Sequence, residues 1–568
     1  MFKRTGTHKQ LRSGVLAVIA LLISACGGTS SGGDGGGQPP VEPPAPPTVA
    51  ELNAASRLSS QATFGMDYAG IESIARQGHE EWIDGQFTVP MSDHLSLVAD
   101  IVQRRDAGEF AAFEEDIEYL IFARRLAWWH QTVTGDDALR QRVAFALSEI
   151  FVVSDSVDTL IVHPNALSGY YDMLLRNSFG NFRGLLRDVS LHPAMGIYLS
   201  HINNRRSDPI NNIFPDENYA REVMQLFSIG LFELNIDGSL QLDIDGDPIP
   251  TYSNDEIREF AKIFTGFSYG GPGAAFGRAY PPNFMEPMQM FDAEHEPGSK
   301  TLLNGVVVPA GQTGMQDFEA AIDNLFNHPN VGPFIGKQLI QRLVTSNPSP
   351  AYIERVARAF NGDTTGVRGD MREVIKAVLL DPEAAAVPDS MADFGKLREP
   401  VVRYASILRQ FGANSDDGFI AVLGYFMQQV GKQHPLSAPS VFNFFLPAHS
   451  PAGEIADAGL VAPEFQITTS NSIVGISNII DFVILADYVS DAPEGFAPVS
   501  LDYSEYIDIA TDVDALLDRL DIVLTAGTLD SATRAAIQSV ITDLDDMSMR
   551  ARIAVYMFLL SSDYAVRQ

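Results

Sequence analysis

Glu217, Arg221 and Glu222 stand close together in Pro215-Asp216-Glu217-Asn218-Tyr219-Ala220-Arg221-Glu222, and paired carboxylates beside a guanidinium are what acid–base cleavage needs. On a helix, Glu217–Arg221 and Asn218–Glu222 are i,i+4 neighbours. Arg221 can hold one carboxylate ionised while the other, less solvated, serves as a general acid, the division of labour used in glycoside cleavage. Asn218 and Gln225 on the same strip are the companion binding residues. The same spacing also describes an ordinary helix salt bridge with Glu222 bonded to a neighbouring loop. The residues alone keep both readings open.

The element that must position them is a helix over 216–234. Asp216 is a good N-cap behind Pro215, acidic residues sit in the first turns, and from Val223 to Leu234 only Gln225, Ser228 and Glu233 are polar. At about 100° per residue, Glu217, Ser228, Arg221, Gln225, Asn218, Glu222 and Glu233 share one arc, interrupted by Phe232 and Ile229; the other arc is apolar. A polar strip on a largely buried helix needs partners, either within the fold or in a ligand.

A second candidate site lies in the long, poorly periodic stretch 268–316, where Asp292, Glu294, His295, Glu296 and Lys300 cluster. His295 between two carboxylates can act as an acid, with Lys300 as a binding residue, although a solvated charged loop reads the same way. A third is Asp243, Asp245 and Asp247, spaced like the start of a calcium loop. Gly246 and Asn254 stand where such a loop needs other residues, so turn chemistry is favoured over calcium. No cofactor is required by the sequence, and calcium is the one metal it suggests.

Around these residues the periodicity predicts a mainly α, multi-helical chain with helix–turn–helix units and a small β-hairpin near 234–252. A helix pair is expected at about 112–133 and 136–153, the second with Leu139, Val143, Ala146, Leu147, Ile150 and Phe151 inward and Arg140, Arg142 and Glu149 off that stripe. Further helices follow at about 317–327, 333–345, 350–360, 370–380 and 396–411, and near 464–488, 512–524, 530–544 and 549–562. Four of the eleven histidines precede proline: His163, His192, His328 and His434. With Asp381-Pro382 they mark helix ends, because the residue before proline avoids the helical region and proline suits a first helical position. The histidines are read first as C-terminal caps and second as metal ligands, since no ligand spacing of the HExxH kind occurs. The proline-bounded run Val441-Phe442-Asn443-Phe444-Phe445 either lines a pocket or packs.

The N-terminus addresses the chain. Lys3, Arg4, Lys9 and Arg12 precede an apolar Val15–Ile23 run and Ile23-Ser24-Ala25-Cys26, which resembles a bacterial lipobox. Cys26, the single cysteine, is the expected lipid attachment point, and residues 1–25 the signal peptide. Gly27 after it favours the outer membrane of a Gram-negative cell. The Gly/Ser and Pro stretch up to about residue 50 is a tether, and 51–568 the helical body, divisible into two subdomains around 268–316. Asp+Glu is 72 against Lys+Arg 39, which argues against nucleic-acid binding and suits an exported protein.

Separate blocks carry a family resemblance: RQRVAFALSEIFVVSD (140–155), GNFRGLLRDVSLHPAMGIYLS (180–200), PDENYAREVMQLFSIGLFELN (215–235), FTGFS (264–268), LFNHPNVGPFIGKQLIQRLVTSNPSP (325–350), GDMREVIKAVLLDPEA (369–384), GKLREPVVR (395–403) and APSVFNFF (438–445). Together with the DIDGDPIPTYS hairpin they resemble the bacterial domain of unknown function 1800. The resemblance implies large, mainly helical exported proteins, often encoded beside an exported alkaline-phosphatase-like family, and brings no catalytic residues. Two expectations follow. The first is a surface-anchored binding or assembly module for an extracellular polysaccharide or an exported partner. The second is a hydrolase or lyase with its acids at the head of the 216–234 helix.

Overall fold

The computed structural model describes residues 45–109, 116–278, 281–385, 394–491 and 495–567, with backbone alone at 116–120. The signal segment, Cys26 and the tether up to residue 44 lie outside the described residues, as do residues 112–115 of the first predicted helix of the pair. From Pro47 onward the chain forms one compact unit.

That unit is mainly α, with only two-stranded antiparallel pairs among the described residues. Its first helix, α1 (Val49–Ala62), opens on a capping box in which Thr48 and Glu51 satisfy each other's end of the backbone. At the other terminus Val566–Arg567 pairs antiparallel with Lys396–Leu397, so the end of the chain is stitched into the middle. The Arg567 guanidinium donates to the Ser60 carbonyl at 2.7 Å and to the Val344 carbonyl at 2.6 Å, closing the ends of α1 and of the helix before Val344 with one side chain.

The predicted helices are present, but shorter where the backbone must turn. α2 (Ala138–Ser148) stops four residues before Val152 rather than running to 153, and nearly all of it is buried, including Arg142. Its polar residues are therefore not a solvated face. α3 (Asn218–Gln225) replaces the long helix predicted over 216–234. A turn over 226–229 follows it, and Gly230 then takes φ +75°, with the Phe334 ring so near that a Cβ would lie 2.8 Å from it. Thr251 Oγ1 donates to the Gly230 carbonyl at 2.6 Å and fixes the reversal. The following residues form the expected hairpin through bridges Phe232↔Pro250, Leu234↔Leu240 and Leu242↔Pro248.

Beyond it come α4 (Gly314–Phe326), α5 (Val331–Leu343), α6 (Pro350–Asn361) and α7 (Met371–Leu379), of which α5, α6 and α7 pack on one another as helix–turn–helix units, and α8 (Pro400–Gln410) follows the strand that holds Lys396. The junctions share one device. His192 Nδ1 accepts from the Ala194 N–H at 3.2 Å, His328 Nδ1 from the Asn330 N–H at 3.2 Å, and Asp381 Oδ1 from the Glu383 N–H at 2.9 Å. These three side chains cap the helix or turn that follows, the reverse of the expected C-terminal capping, which His163 does make: its Nδ1 lies 2.7 Å from the Thr159 carbonyl of the helix before it. Burial explains the difference: it lowers the pKa of His192 to about 3 and of His328 to about 4, so each ring is neutral at pH 7 and works as an acceptor rather than as a cation facing a helix dipole.

Candidate functional site

The residues singled out in sequence fall into separate surroundings. Glu217 and Arg221 form a half-exposed ion pair at 3.3 Å, of the kind worth little in water. The Asn218 N–H is capped by Asp216 Oδ1 at 2.8 Å. Glu222 turns inward: its Oε2 is buried without a hydrogen-bond partner, and desolvation raises its pKa against the partial offset of Arg221. Its neighbours are the phenols of Tyr198 and Tyr252, both pushed up to about 12 by burial and then by the Glu222 charge. Glu217 and Glu222 thus do not share one set of partners. Because an unpaired carboxylate gains nothing from its charge, Glu222→Gln is expected to leave the melting temperature unchanged or higher; a clear fall in a thermal scan would show that the charge is bonded.

His295 and Lys300 are internal. Both are almost fully buried with Asp317, which joins His295 Nε2 at 3.1 Å and the Lys300 ammonium in a short ion pair. The His295 Nδ1 lies 2.9 Å from the Thr265 carbonyl, and Gln312 donates to the other Asp317 oxygen at 3.0 Å. This triad pins the 268–316 segment onto α4. In the acidic hairpin, Asp243 Oδ1 accepts from the N–H groups of Asp245 and Asp247 at 2.9 and 3.0 Å, which is turn chemistry. Among the described residues no three His, Cys, Asp or Glu side chains gather as a metal-holding group.

A wide concavity opens elsewhere, where α3, the hairpin, α5 and the 438–448 loop meet. It is a cleft of about 550 Å³, inside the range of small-molecule sites at roughly 300–1,000 Å³. Leu226, Leu231, Leu234, Phe334, Val441 and Phe442 give it apolar walls, and Gln225 from the predicted strip reaches it. The aromatic, proline-bounded segment therefore does line a pocket, through Phe442, while Phe444 and Phe445 pack behind it.

One part of this cleft is charged and dry. Glu149, just after α2, meets Arg342 of α5: the guanidinium donates to the Glu149 carbonyl at 2.9 Å and stands 3.8 Å from its carboxylate. Asn443 donates to Glu149 Oε1 at 3.3 Å from a backbone held at φ +64°, a conformation that few residues other than glycine adopt and that recurs at functional sites. Behind Glu149 lie Glu399 and Glu464, with Arg142, Lys396 and Arg567 among them. Gln433 bridges the carboxylates, donating to Glu399 at 2.7 Å and Glu149 at 3.3 Å. Lys396 pairs with Glu399 at 3.3 Å and more closely with Glu464.

These surroundings split the acids. Desolvation, then the Glu399 charge, raises Glu149 well above the usual carboxylate range, so it is a neutral acid at pH 7. Desolvation would raise Glu399 as well, but Lys396 and Arg142 overrule it and leave it lowered. Four atoms of the cleft lining remain buried without hydrogen-bond partners: Glu149 Oε2, Gln338 Nε2, Gln341 Oε1 and Arg342 Nε. At the rim, Lys337 has its pKa lowered by desolvation. A carboxyl oxygen, an amide donor, an amide acceptor and a guanidinium N–H thus lie on residues that line one apolar cleft. That arrangement can receive and orient a polar head group.

The family of proteins of unknown function DUF1800 matches residues 57–566. This chain belongs to that family. No curated protein and no solved structure matches it. Membership thus agrees with the sequence blocks and leaves the chemistry to be read from the geometry, and every part of the cleft falls within the matched residues.

Proposed function

We propose that this family member is a lipid-anchored binding module of the bacterial cell envelope, tethered at Cys26 to the outer membrane, with the cleft between α3, α5 and the 438–448 loop as its binding site. The observation that carries the reading is the set of four unpartnered polar atoms at the end of an apolar cleft. Buried polar groups are ordinarily bonded, so a cluster of unbonded ones in an open concavity is best accounted for by an absent partner. The lip supports it. Leu240 on the cleft lining is 45% exposed, and along the same hairpin Leu242 and the turn residue Ile244 are exposed by 55% and 100%; exposed apolar strips mark interaction surfaces. Such walls suit an exported partner or an apolar ligand better than a polysaccharide, whose hydroxyls need many polar contacts.

The test is native mass spectrometry of the chain recovered from the envelope of the cells that make it. A bound species is expected on the wild type and absent from Leu231→Asp and Phe442→Asp, two lip positions exposed enough to accept a charge without unfolding. An unoccupied wild type, or occupancy that both variants retain, would sink the reading. Palmitate incorporation lost in Cys26→Ser checks the tether. A hydrolase or lyase is the second reading. One observation favours it: a carboxylic acid held neutral beside an ionised one is a general acid in waiting, and it moves the candidate from Glu217 and Glu222 to Glu149. Product release abolished by Glu149→Gln would decide for it.

A further inference from the structure

Resting on the binding reading of the same cleft, we infer that its ligand class is an amphiphilic carboxylate: a flexible apolar body of about 10–14 carbons ending in one anionic head. The head is argued from charge. Arg142, Arg342, Lys396 and Arg567 surround Glu149, Glu399 and Glu464, so cations outnumber carboxylates even before the protonation of Glu149 is counted. Lys396 is spoken for by Glu399 and Glu464, and Arg567 is spent on backbone carbonyls. Arg342 is the cation left facing the cleft, with its Nε unbonded. A carboxylate there accepts from Arg342 Nε and from Gln338 Nε2, two of the unpartnered atoms at once.

A cationic head would meet the excess positive charge, and a neutral alcohol would satisfy fewer donors while leaving that charge unanswered. The body is argued from the walls. Leu226, Leu231, Leu234, Phe334, Val441 and Leu446 offer no side-chain hydrogen bonds, so a peptide backbone or sugar laid against them would bury polar groups unpaired, at about 1–3 kcal/mol each. An acyl chain has none to bury. The cleft's 550 Å³ holds a chain of that length with its carboxylate at Glu149.

Isothermal titration at pH 7 of the body from Pro47 onward, which is a compact unit with its own core, tests the assignment with dodecanoate below its micellar concentration. Dodecanol, dodecyltrimethylammonium and an acetylated tetraleucine with a free C-terminus are titrated alongside. One saturable dodecanoate site is expected, at least tenfold tighter than dodecanol and closed to the cation. Phe442→Asp should weaken it at least tenfold, and Lys337→Ala, at the rim and in no ion pair among the described residues, should weaken it less. Raising the pH through the titration of Glu149 should weaken it further, because the ionised acid repels the head. Arg342→Gln is informative if it folds; the lip variants carry the test if it does not.

Equal affinity for alcohol and carboxylate, preference for the cation, no saturable site, or indifference to Phe442→Asp each overturns the inference. Tighter binding of the tetraleucine overturns it in favour of a polypeptide C-terminus. If dodecanoate fails while the natively bound species still depends on Phe442, the ligand class is wrong and the binding reading stands. If the native species is missing too, both fall.

Discussion

Lys396→Met is expected to lower the unfolding free energy by about 3–5 kcal/mol, the usual consequence of leaving a buried charge without its partner. Lys396 is buried, and its ammonium is shared between Glu399 at 3.3 Å and Glu464 in a still shorter contact. Met keeps the apolar bulk and removes the charge, so the loss reads electrostatics and not a cavity. Glu464 Oε2 already lacks a hydrogen bond, and without Lys396 this carboxylate would have to protonate or draw in water. The double variant Lys396→Met with Glu464→Gln removes the stranded charge and should recover more than half of the loss, since replacing both members of a buried pair is far milder than removing one. Chemical denaturation of the wild type, the single and the double variant measures all three. A single-variant loss under about 1 kcal/mol would mean that water reaches the cluster, in which case the polar end of the cleft is not dry.

That cluster also shows where reading the chain stops. Element existence was legible because it depends on local periodicity: the helices over 314–326, 331–343, 350–361 and 371–379 lie within a few residues of their predicted spans. Their ends were less legible, since the reversal past α3 at Gly230 packs against Phe334 of a distant helix. The cleft was half legible. Gln225 and the Phe442 segment were named from their own residues, but Glu149, Arg142, Lys396, Glu399 and Glu464 come from three separate stretches, and tertiary packing alone brings them together. One signal did point to them. In Arg140-Gln141-Arg142-Val143-Ala144-Phe145-Ala146-Leu147-Ser148-Glu149 the apolar residues occupy most of the helix circumference, and a helix apolar nearly all round is buried. Arg142 and Glu149 on it were bound to be interior, and buried charges demand partners. The same oversight made the proline-flanked histidines look like cationic caps, because neutrality follows from burial, which spacing does not reveal.

Buried histidines, three of them proline-flanked, govern the largest expected response to conditions. Desolvation lowers His94, His201 and His328 to about 4 and His192 to about 3, and holds His434 well below the usual histidine range. In the unfolded chain each titrates near 6.5. Between that value and the folded pKa the unfolded state binds more protons, so stability rises with pH across the window and is lost on acidification. Carboxyls whose pKa burial raises act in the opposite sense, Asp172 and Glu149 by the widest margin. Asp172, raised to about 7 by burial against its bonds to the His94 and Leu95 N–H groups, and Glu149, also raised, bind protons in the folded state that the unfolded carboxylates have released; their stabilisation fades as pH climbs through the folded pKa. On these seven widest shifts alone, five against two leaves a net slope of about 4 kcal/mol per pH unit below 6.5, at about 1.4 kcal/mol per proton. Surface carboxylates do not mask it, because they titrate mainly below pH 5. Urea midpoints at pH 7 and pH 5 should therefore differ by several kcal/mol in favour of neutrality. His201, fully buried against Tyr219 and bonded to the Ser190 carbonyl at 2.8 Å, offers the control: His201→Gln should be less stable at pH 7 yet lose about one proton's share of the slope. A slope that His201→Gln leaves intact would show that the acid response comes from elsewhere in the molecule.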